Sequence, residues 1–327
     1  MNRSLGTLAR GALGVGVSVV ALYIVLQSVD LRRTWDVLST ASPAWIAVML
    51  GCVFIDVGAR GARWTWLLRP IAAVPYLRVL GYTYLGYLAN NVLPARLGEL
   101  VRSHALGQGE GLSRTTVLGT VVVERVIDTA IVVGIAAVSI LVLSVRGVLA
   151  NAVLLGLAFV GLLVVGLAAG MAAHRIPGAD RIVGFVERWP VILDLGRRLR
   201  DGLSVAGRPA TVAGAAAIGL IAWSASIGTF LVAGQAIGVE LSLSQAALLS
   251  SGVSLATIVP SGPGYLGTFE LTAVSIAGIF GVGEDEAFAL ALLVHATIIL
   301  VTSVGGLIGF ARLGWRSVDA AAAVPDR

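Results

Sequence analysis

The feature that most constrains this chain is a series of apolar runs, each long enough to cross a lipid bilayer. A helix needs about 20 apolar residues to span a hydrocarbon core of about 30 Å. Such runs cover residues 11–29, 42–59, 129–145, 148–173, 210–238 and 287–311. Only 13% of the residues are charged, against about 25% in soluble domains. The sequence therefore predicts an all-α polytopic membrane protein, a single transmembrane domain over residues 1–327.

Arginine clusters predict which loops face the cytoplasm, because basic residues concentrate in cytoplasmic loops. They fall in loops 174–208 and 60–78 and near both ends of the chain. We therefore expect cytoplasmic N- and C-termini and no bound nucleic acid. Loop 174–208 also has an amphipathic pattern, which predicts a cytoplasmic surface helix between two halves, residues 1–173 and 209–316. No soluble domain is evident, so we expect no attached catalytic module.

Two similar stretches break the apolar pattern, and each has a helix-breaking proline followed by Leu-Gly, an acid and a leucine. Counting the crossings leaves residues 79–116 beginning and ending inside, and residues 246–283 beginning and ending outside. We expect two re-entrant hairpins that enter from opposite faces and make the two halves an inverted-repeat helical bundle. Eight to ten ordinary spans with proline kinks are the alternative. Paired broken segments are the best sequence indication of a transporter's binding site.

The first break carries side chains suited to an anionic ligand. The candidates are Asn90, Asn91, Pro94, Arg96, Gly98, Glu99 and Arg102. Helical spacing after Pro94 places Glu99 beside both arginines. Arginine can bind a phosphate through two parallel hydrogen bonds, and a helix beginning near Pro94 would direct free N–H groups toward an anion. A solvated helix face is the alternative interpretation.

Two further groups are unusual inside apolar segments, where charge is costly. The first group is Glu124, Arg125 and Asp128, at spacings that share one helix face. The second is the second break, with Pro260, Ser261, Gly262, Gly264, Gly267 and Glu270. Glycine and proline unwind a helix and leave backbone groups available to a ligand. The alternatives are a self-neutralising packing cluster and a plain external turn.

Other residues receive structural interpretations. His295 stands alone on an apolar helix and is expected to be a structural histidine. Asp56 is expected to pair with Arg60 at a helix end. Trp64 and Trp223, among other tryptophans, are expected in interfacial belts. No nucleotide-binding loop, metal-ligand set or catalytic motif is present, so we expect no cofactor, no metal and no enzyme activity.

In the order of its motifs, the chain resembles the lysylphosphatidylglycerol synthase transmembrane-domain family over roughly residues 10–315. The resemblance rests on Asn-Asn-x-x-Pro-x-Arg-x-Gly-Glu-x-x-Arg from Asn90, Glu-Arg-x-x-Asp from Glu124, and Pro-x-x-Pro-Gly-x-x-Gly-x-x-Glu from Pro260. In that family the domain is taken to move an aminoacylated anionic phospholipid between leaflets, and a separate soluble domain makes the lipid. The resemblance implies lipid translocation or binding in a bacterial inner (cytoplasmic) membrane. Relatives associated with glycosyltransferases extend the implied substrates to polyprenyl-phosphate lipids.

We therefore expect a lipid transporter with a polar cavity between the hairpins. Arg96, Arg102 and Arg125 would hold the lipid phosphate, while Asn90, Asn91 and Ser261 would bind the headgroup. Because the candidate carboxylates outnumber these arginines by one, either an outside arginine such as Arg60 or Arg63 joins, or one carboxylate, Glu99 or Glu270, is protonated and links transport to protons.

Two other functions stay open from the sequence. One is a membrane-embedded enzyme, or enzyme subunit, that uses Glu124 and Asp128 as acid and base on a lipid headgroup. The other is a non-transporting scaffold for a glycosyltransferase or another lipid-modifying enzyme. Glycines at four- to five-residue spacing, Gly156, Gly161, Gly166 and Gly170, are also compatible with a homodimer.

Overall fold

A computed structural model describes residues 2–93, 97–147, 151, 153–162, 165, 201–258 and 261–313, with side chains from residue 14 onward. All regular structure in these ranges is helical. The helices are α1 (Asn2–Ser28), α2 (Leu31–Ser39), α3 (Pro43–Leu68), α4 (Tyr76–Val92), α5 (Gly98–Gly109), α6 (Arg114–Val142), α7 (Val153–Leu162), α8 (Pro209–Ile237), α9 (Leu243–Ala256), α10 (Thr268–Ile279) and α11 (Glu284–Leu313), with 3-10 turns at Ser204–Gly207 and Pro263–Tyr265.

Within the described ranges, four helices (α3, α6, α8 and α11) are long and apolar enough to cross a membrane. The bent pair formed by Gly14–Ser28 and Leu31–Ser39, which meet at 85°, would make a fifth span. These helices correspond to five of the six predicted apolar runs. The sixth run, residues 148–173, is only partly described and contains α7. The prediction of an all-α, multi-pass membrane protein is confirmed.

Helix α3 is longer than the sequence analysis predicted. The apolar run was taken to end at residue 59, which left Arg60 and Arg63 in a loop. The helix instead continues to Leu68 and ends just before Pro70, because proline cannot continue a helix. Arg60 is 9% exposed and Arg63 is fully buried, so the assignment of these two arginines to a loop was wrong.

Two breaks interrupt the helices where the sequence predicted them. The first break (residues 93–97) separates α4 from α5, and the second break (residues 257–267) separates α9 from α10. The predicted site residues Pro94, Arg96 and Pro260 lie outside the described residues. In the second break, Gly264 and Gly267 have φ of 64° and 85°, a conformation that glycine adopts without steric cost.

Three of the four helices that flank the breaks are short. Helices α5, α9 and α10 have 12, 14 and 12 residues, fewer than the roughly 17–25 that a spanning helix needs. This length favours re-entrant hairpins, whose entry from opposite faces stays a prediction. The predicted surface helix of loop 174–208 falls almost entirely outside the described residues.

The helices pack in pairs that correspond between the two halves. Helix α3 packs along α8, α4 packs on α11 as α6 packs on α9, and α5 packs on α6 as α10 packs on α11. These contacts are the ones expected if α3–α6 correspond to α8–α11 through a two-fold axis. The inverted repeat itself stays a prediction.

Helix α1 covers the second break from outside the main bundle. Its buried face, Gly14, Ser18, Ala21 and Val25, follows one helical stripe. The Ser18 hydroxyl oxygen accepts a 2.8 Å hydrogen bond from the backbone N–H of Gly262. The second break is therefore enclosed between α1 and the bundle.

Candidate functional site

A cavity of about 190 Å³ lies where the two breaks meet. Its walls come from helices of both halves: α3, α4, α5 and α6, and α8, α9, α10 and α11. A Cβ atom placed on Gly264 would lie only 3.7 Å from the carbonyl oxygen of Asn91. The sequence analysis expected the two breaks to converge, and in the described residues they do.

Seven charged side chains form one connected network on the first-half side of this cavity. The members are Asp56, Arg60, Arg63, Arg102, Glu124, Arg125 and Asp128. Four arginines face three carboxylates, so the formal charge of the network is +1. Glu99 also lines the cavity, so the network and Glu99 together are formally neutral inside an apolar protein.

Asp128 is the centre of the network. One carboxylate oxygen accepts hydrogen bonds from Arg63 at 2.8 Å and from the indole N–H of Trp223 at 2.9 Å. The other oxygen lies 3.2 Å from Arg60 and 3.4 Å from Arg125. Asp128 stands midway along the 29-residue helix α6, about 21 Å from either end at 1.5 Å per residue.

Glu124 is fully buried one turn before Asp128 on the same helix. It accepts hydrogen bonds from Arg63 and Arg125 at 3.0 Å and from Arg102 at 2.9 Å. The guanidinium of Arg102 also lies over the ring of Trp64, 4.5 Å from its centroid. The sequence analysis expected Glu99 to orient Arg102, but Glu124 has this position, because α5 packs with this face against α6.

Arg125 is the most accessible arginine of the network. Its side chain is 36% exposed, against 11% or less for Arg60, Arg63 and Arg102. Its Nε atom is buried with no hydrogen-bond partner among the described residues, and the side chain lines the cavity. A guanidinium that is partly exposed on a cavity wall can donate to an anion that enters the cavity.

The first break is held by two asparagines. The Oδ1 atom of Asn90 accepts a 2.7 Å hydrogen bond from the backbone N–H of Gly98, the first residue of α5. The Nδ2 atom of Asn91 donates to the hydroxyl oxygens of Thr302 and Ser303 on α11, at 2.9 and 3.0 Å. Both side chains thus tie the break to its surroundings as well as lining the cavity.

The second break is held by an acid–histidine pair. One oxygen of Glu270 accepts a 2.6 Å hydrogen bond from the N–H of Gly267. The other oxygen lies 2.6 Å from Nδ1 of His295, whose Nε2 lies 2.7 Å from the carbonyl oxygen of Gly264. The ring of Phe269 stacks on the imidazole at 4.1 Å. His295 therefore joins the break to α11, and it lines the cavity.

The candidate residues from the sequence separate into two described sets. Those that line the cavity are Asn90, Asn91, Gly98, Glu99, Arg102, Arg125, Asp128 and Gly264. Those that are not on its wall are Glu124, Ser261, Gly262, Gly267 and Glu270. Ser261, Gly262 and Gly267 instead approach α1, so Ser261 is not placed to bind a headgroup in this cavity.

Several residues of the site were missed or misassigned from the sequence. Arg60 and Arg63 were mentioned only as outside arginines that could join, although Asp56, Arg60 and Arg63 share a helix face by their spacing. The Asp56–Arg60 pair itself is confirmed, at 2.7 Å. Trp64 and Trp223 were expected in interfacial belts, but both are buried and donate hydrogen bonds to Thr120 and Asp128. An indole N–H in an apolar core needs an acceptor, and only helix packing supplies it.

Metal binding has no support in the described part of the chain. No group of three or more His, Cys, Asp or Glu side chains there converges as a ligand set. The carboxylates of the network already accept hydrogen bonds from arginines. The chemistry that the cavity offers is thus binding of an anion by arginine and polar contact with backbone and amide groups.

Comparison with known proteins agrees with this architecture. The family described as the lysylphosphatidylglycerol synthase transmembrane (TM) region matches residues 11–306, which include both breaks and the charged helix α6. The chain is also 26% identical over 333 positions to a protein named glycosyltransferase AglD from Haloferax volcanii. That alignment covers 90% of this chain and 53% of the relative, so the chain spans about half the length of the curated relative that it matches. The chain belongs to the lysylphosphatidylglycerol synthase transmembrane-region family.

Proposed function

We propose that this protein moves an anionic phospholipid, or a related lipid phosphate, between the leaflets of its membrane. The observation that carries the proposal is the cavity between the two breaks, with arginines of an arginine–carboxylate network on its wall near the middle of a long spanning helix. Charged groups persist at such depth when they are paired or line a pathway. The family of the chain supports a lipid as the cargo.

The four arginines of the network differ in their contacts and in their exposure. Arg63 and Arg102 hold Glu124, and Arg60 and Arg63 hold Asp128. Arg125 contacts both carboxylates and has the largest exposed fraction of the four arginines. We assign the first contact with the lipid phosphate to Arg125, supported by Asn90 and Asn91 at the edge of the first break.

The polar lining of the cavity suits the headgroup of a lipid. In the proposed mechanism the acyl chains stay in the bilayer while the polar group passes through the cavity. Moving a hydrocarbon tail out of the lipid is not favoured by any gain in free energy. The charged headgroup, by contrast, needs the polar lining to cross the apolar core.

Translocation in proteoliposomes tests the proposal. Vesicles that contain the protein should move fluorescent phosphatidylglycerol from the inner to the outer leaflet faster than protein-free vesicles, measured by chemical quenching of the outer leaflet. Arg125→Gln should slow this movement about 10- to 100-fold, the range for losing one hydrogen bond to a charged group. The matched control is Arg114→Gln, an exposed arginine at the start of the same helix, which should leave the rate unchanged.

Two results would overturn the proposal. Wild-type vesicles that move phosphatidylglycerol no faster than protein-free vesicles would remove transport of this lipid. Equal rates for wild type and Arg125→Gln would remove the assigned role of Arg125. Size-exclusion elution and helix content should be compared across the three proteins, so that a folding defect is not counted as a transport defect.

A scaffold function is the second candidate, and the name of the Haloferax volcanii relative favours it. That protein is named a glycosyltransferase and is about twice as long as this chain, so we propose as the alternative that this fold assists a separate lipid-modifying enzyme. A scaffold would show no translocation in the same vesicles. An enzyme that uses Glu124 and Asp128 as acid and base has less support, because both carboxylates are occupied by two or more arginines.

A further inference from the structure

The two contacts of His295 in the Glu270–His295 pair require one more proton than a carboxylate and a neutral imidazole hold. Nε2 of His295 lies 2.7 Å from the carbonyl oxygen of Gly264. A carbonyl oxygen only accepts, so Nε2 must carry a hydrogen. Nδ1 lies 2.6 Å from Glu270, and this second contact also needs a hydrogen, carried either by Nδ1 or by the carboxyl group.

Removing that second proton breaks one of the two contacts. If Nε2 keeps its hydrogen, the lone pair of Nδ1 faces an ionised carboxylate at 2.6 Å, and the two repel. If the hydrogen moves to Nδ1, the lone pair of Nε2 faces the Gly264 carbonyl oxygen at 2.7 Å. A neutral imidazole has one donor and one acceptor, whereas this position requires donation toward two acceptors.

We propose that the Glu270–His295 pair is a proton-binding site, and that its proton fastens the second break to α11. Both side chains are buried, with 1% and 4% of their surface exposed. Release of the proton frees either Gly264 or Glu270 from His295. If Gly264 is the group released, the cavity wall loses its attachment to His295 at this residue, because Gly264 lines the cavity.

Few other titratable groups lie close enough to the pair to bind the proton instead of Glu270 and His295. In the described chain, α8 and α9 contain no titratable residue, and the buried face of α1 contains none. Helix α2 meets α11 at Asp285, ten residues before His295 and about 15 Å along the helix. The charged and titratable groups that share the cavity wall with His295 are Asp56, Arg60, Tyr87, Glu99, Arg102, Arg125, Asp128 and Tyr265.

Glutamine at position 270 should imitate the proton-loaded state. Its amide oxygen can accept from the Gly267 N–H, and its amide nitrogen can donate to Nδ1 while Nε2–H donates to Gly264. Both contacts then persist without a titratable proton. Phenylalanine at position 295 keeps a ring but loses both contacts. The two substitutions therefore predict opposite states of the second break.

The labelling rate of a thiol placed in the second break measures how firmly the break is attached to α11. Ser261 is 3% exposed and its hydroxyl has no partner among the described residues, so Ser261→Cys fits the site. The only native cysteine is removed by Cys52→Ala. In nanodiscs, maleimide labelling is followed from about pH 6 to about pH 9, a range that includes ordinary histidine titration. Labelling of the same protein after unfolding corrects for thiol ionisation.

The expected rates differ among the three proteins. In the Ser261→Cys parent, labelling should accelerate with pH by up to about tenfold per pH unit, the limit for release of one proton. Adding Glu270→Gln should keep labelling slow at every pH, and adding His295→Phe should make it fast at every pH. A parent with no pH dependence, or a Glu270→Gln variant that accelerates as the parent does, would overturn the proton site.

A role of this proton in translocation rests on the function proposed above. Movement of phosphatidylglycerol should then depend on pH in wild type and lose that dependence in Glu270→Gln. Labelling as expected with no lipid movement would retain the proton site and overturn the proposed function. Lipid movement with the same pH dependence in both proteins would overturn the coupling alone.

Discussion

Replacing Asp128 with asparagine tests whether the charged network holds the helices together. The substitution keeps the size of the side chain and removes one negative charge. Arg60, Arg63 and Arg125 each lose part of their compensation, and the network charge rises from +1 to +2. Removing one partner of a buried ion pair costs about 3–5 kcal/mol, because the remaining charge stays buried.

The assay is the free energy of unfolding in detergent micelles, measured by denaturant titration with circular dichroism. We expect Asp128→Asn to lower this free energy by about 3–5 kcal/mol. The matched control is Asp36→Asn, the same chemical change at an exposed position on α2. Substitutions at exposed positions usually change stability by no more than about 0.5 kcal/mol.

A second substitution sharpens the test. Arg125→Gln in the Asp128→Asn background returns the network charge to +1, so the double variant should lose less than the sum of the two single losses. Contacting residues in one network show coupling energies of about 0.5–3 kcal/mol. An Asp128→Asn loss no larger than that of the Asp36→Asn control would refute the view that this network stabilises the fold.

Two further substitutions test particular contacts. Gly98→Ala should lower the free energy of unfolding by at least about 1–3 kcal/mol by overpacking, because a Cβ atom there would collide with the carbonyl oxygen of Gly86. The control is Gly134→Ala, which has open space around it and should be neutral or slightly stabilising. Trp223→Phe should cost about 1–3 kcal/mol in the same assay, because the buried Asp128 loses the indole N–H donor; an unchanged stability would contradict the importance of that contact.

Local patterns in the sequence accounted for much of the fold. The long apolar runs predicted the spanning helices, since the thickness of a bilayer fixes the length of a helix that crosses it. The proline and glycine clusters predicted the two breaks, because these residues disrupt helical backbone wherever they occur. The Asp56–Arg60 and Arg125–Asp128 pairs were also readable, since spacings of three and four residues share a helix face.

Contacts between helices that are distant in the sequence could not be predicted from local patterns. Arg63 is 65 residues from Asp128 in the sequence, and its position in an apolar helix was mistaken for a loop. The sequence paired Arg102 with Glu99 on its own helix, whereas the fold pairs it with Glu124 on α6. His295 carried no local signal, because its partners, Gly264 in the second break and Glu270 in α10, are 31 and 25 residues away in the sequence.

The sequence by itself determined where this protein is apolar, where its helices stop and which buried segments contain charge. Only the tertiary structure decided which arginine neutralises which carboxylate, and hence that Arg125 is the most accessible arginine of the network. The physical reason is that helix formation and membrane insertion depend on residues near one another in the chain. The compensation of a buried charge depends on whichever helix packs beside it.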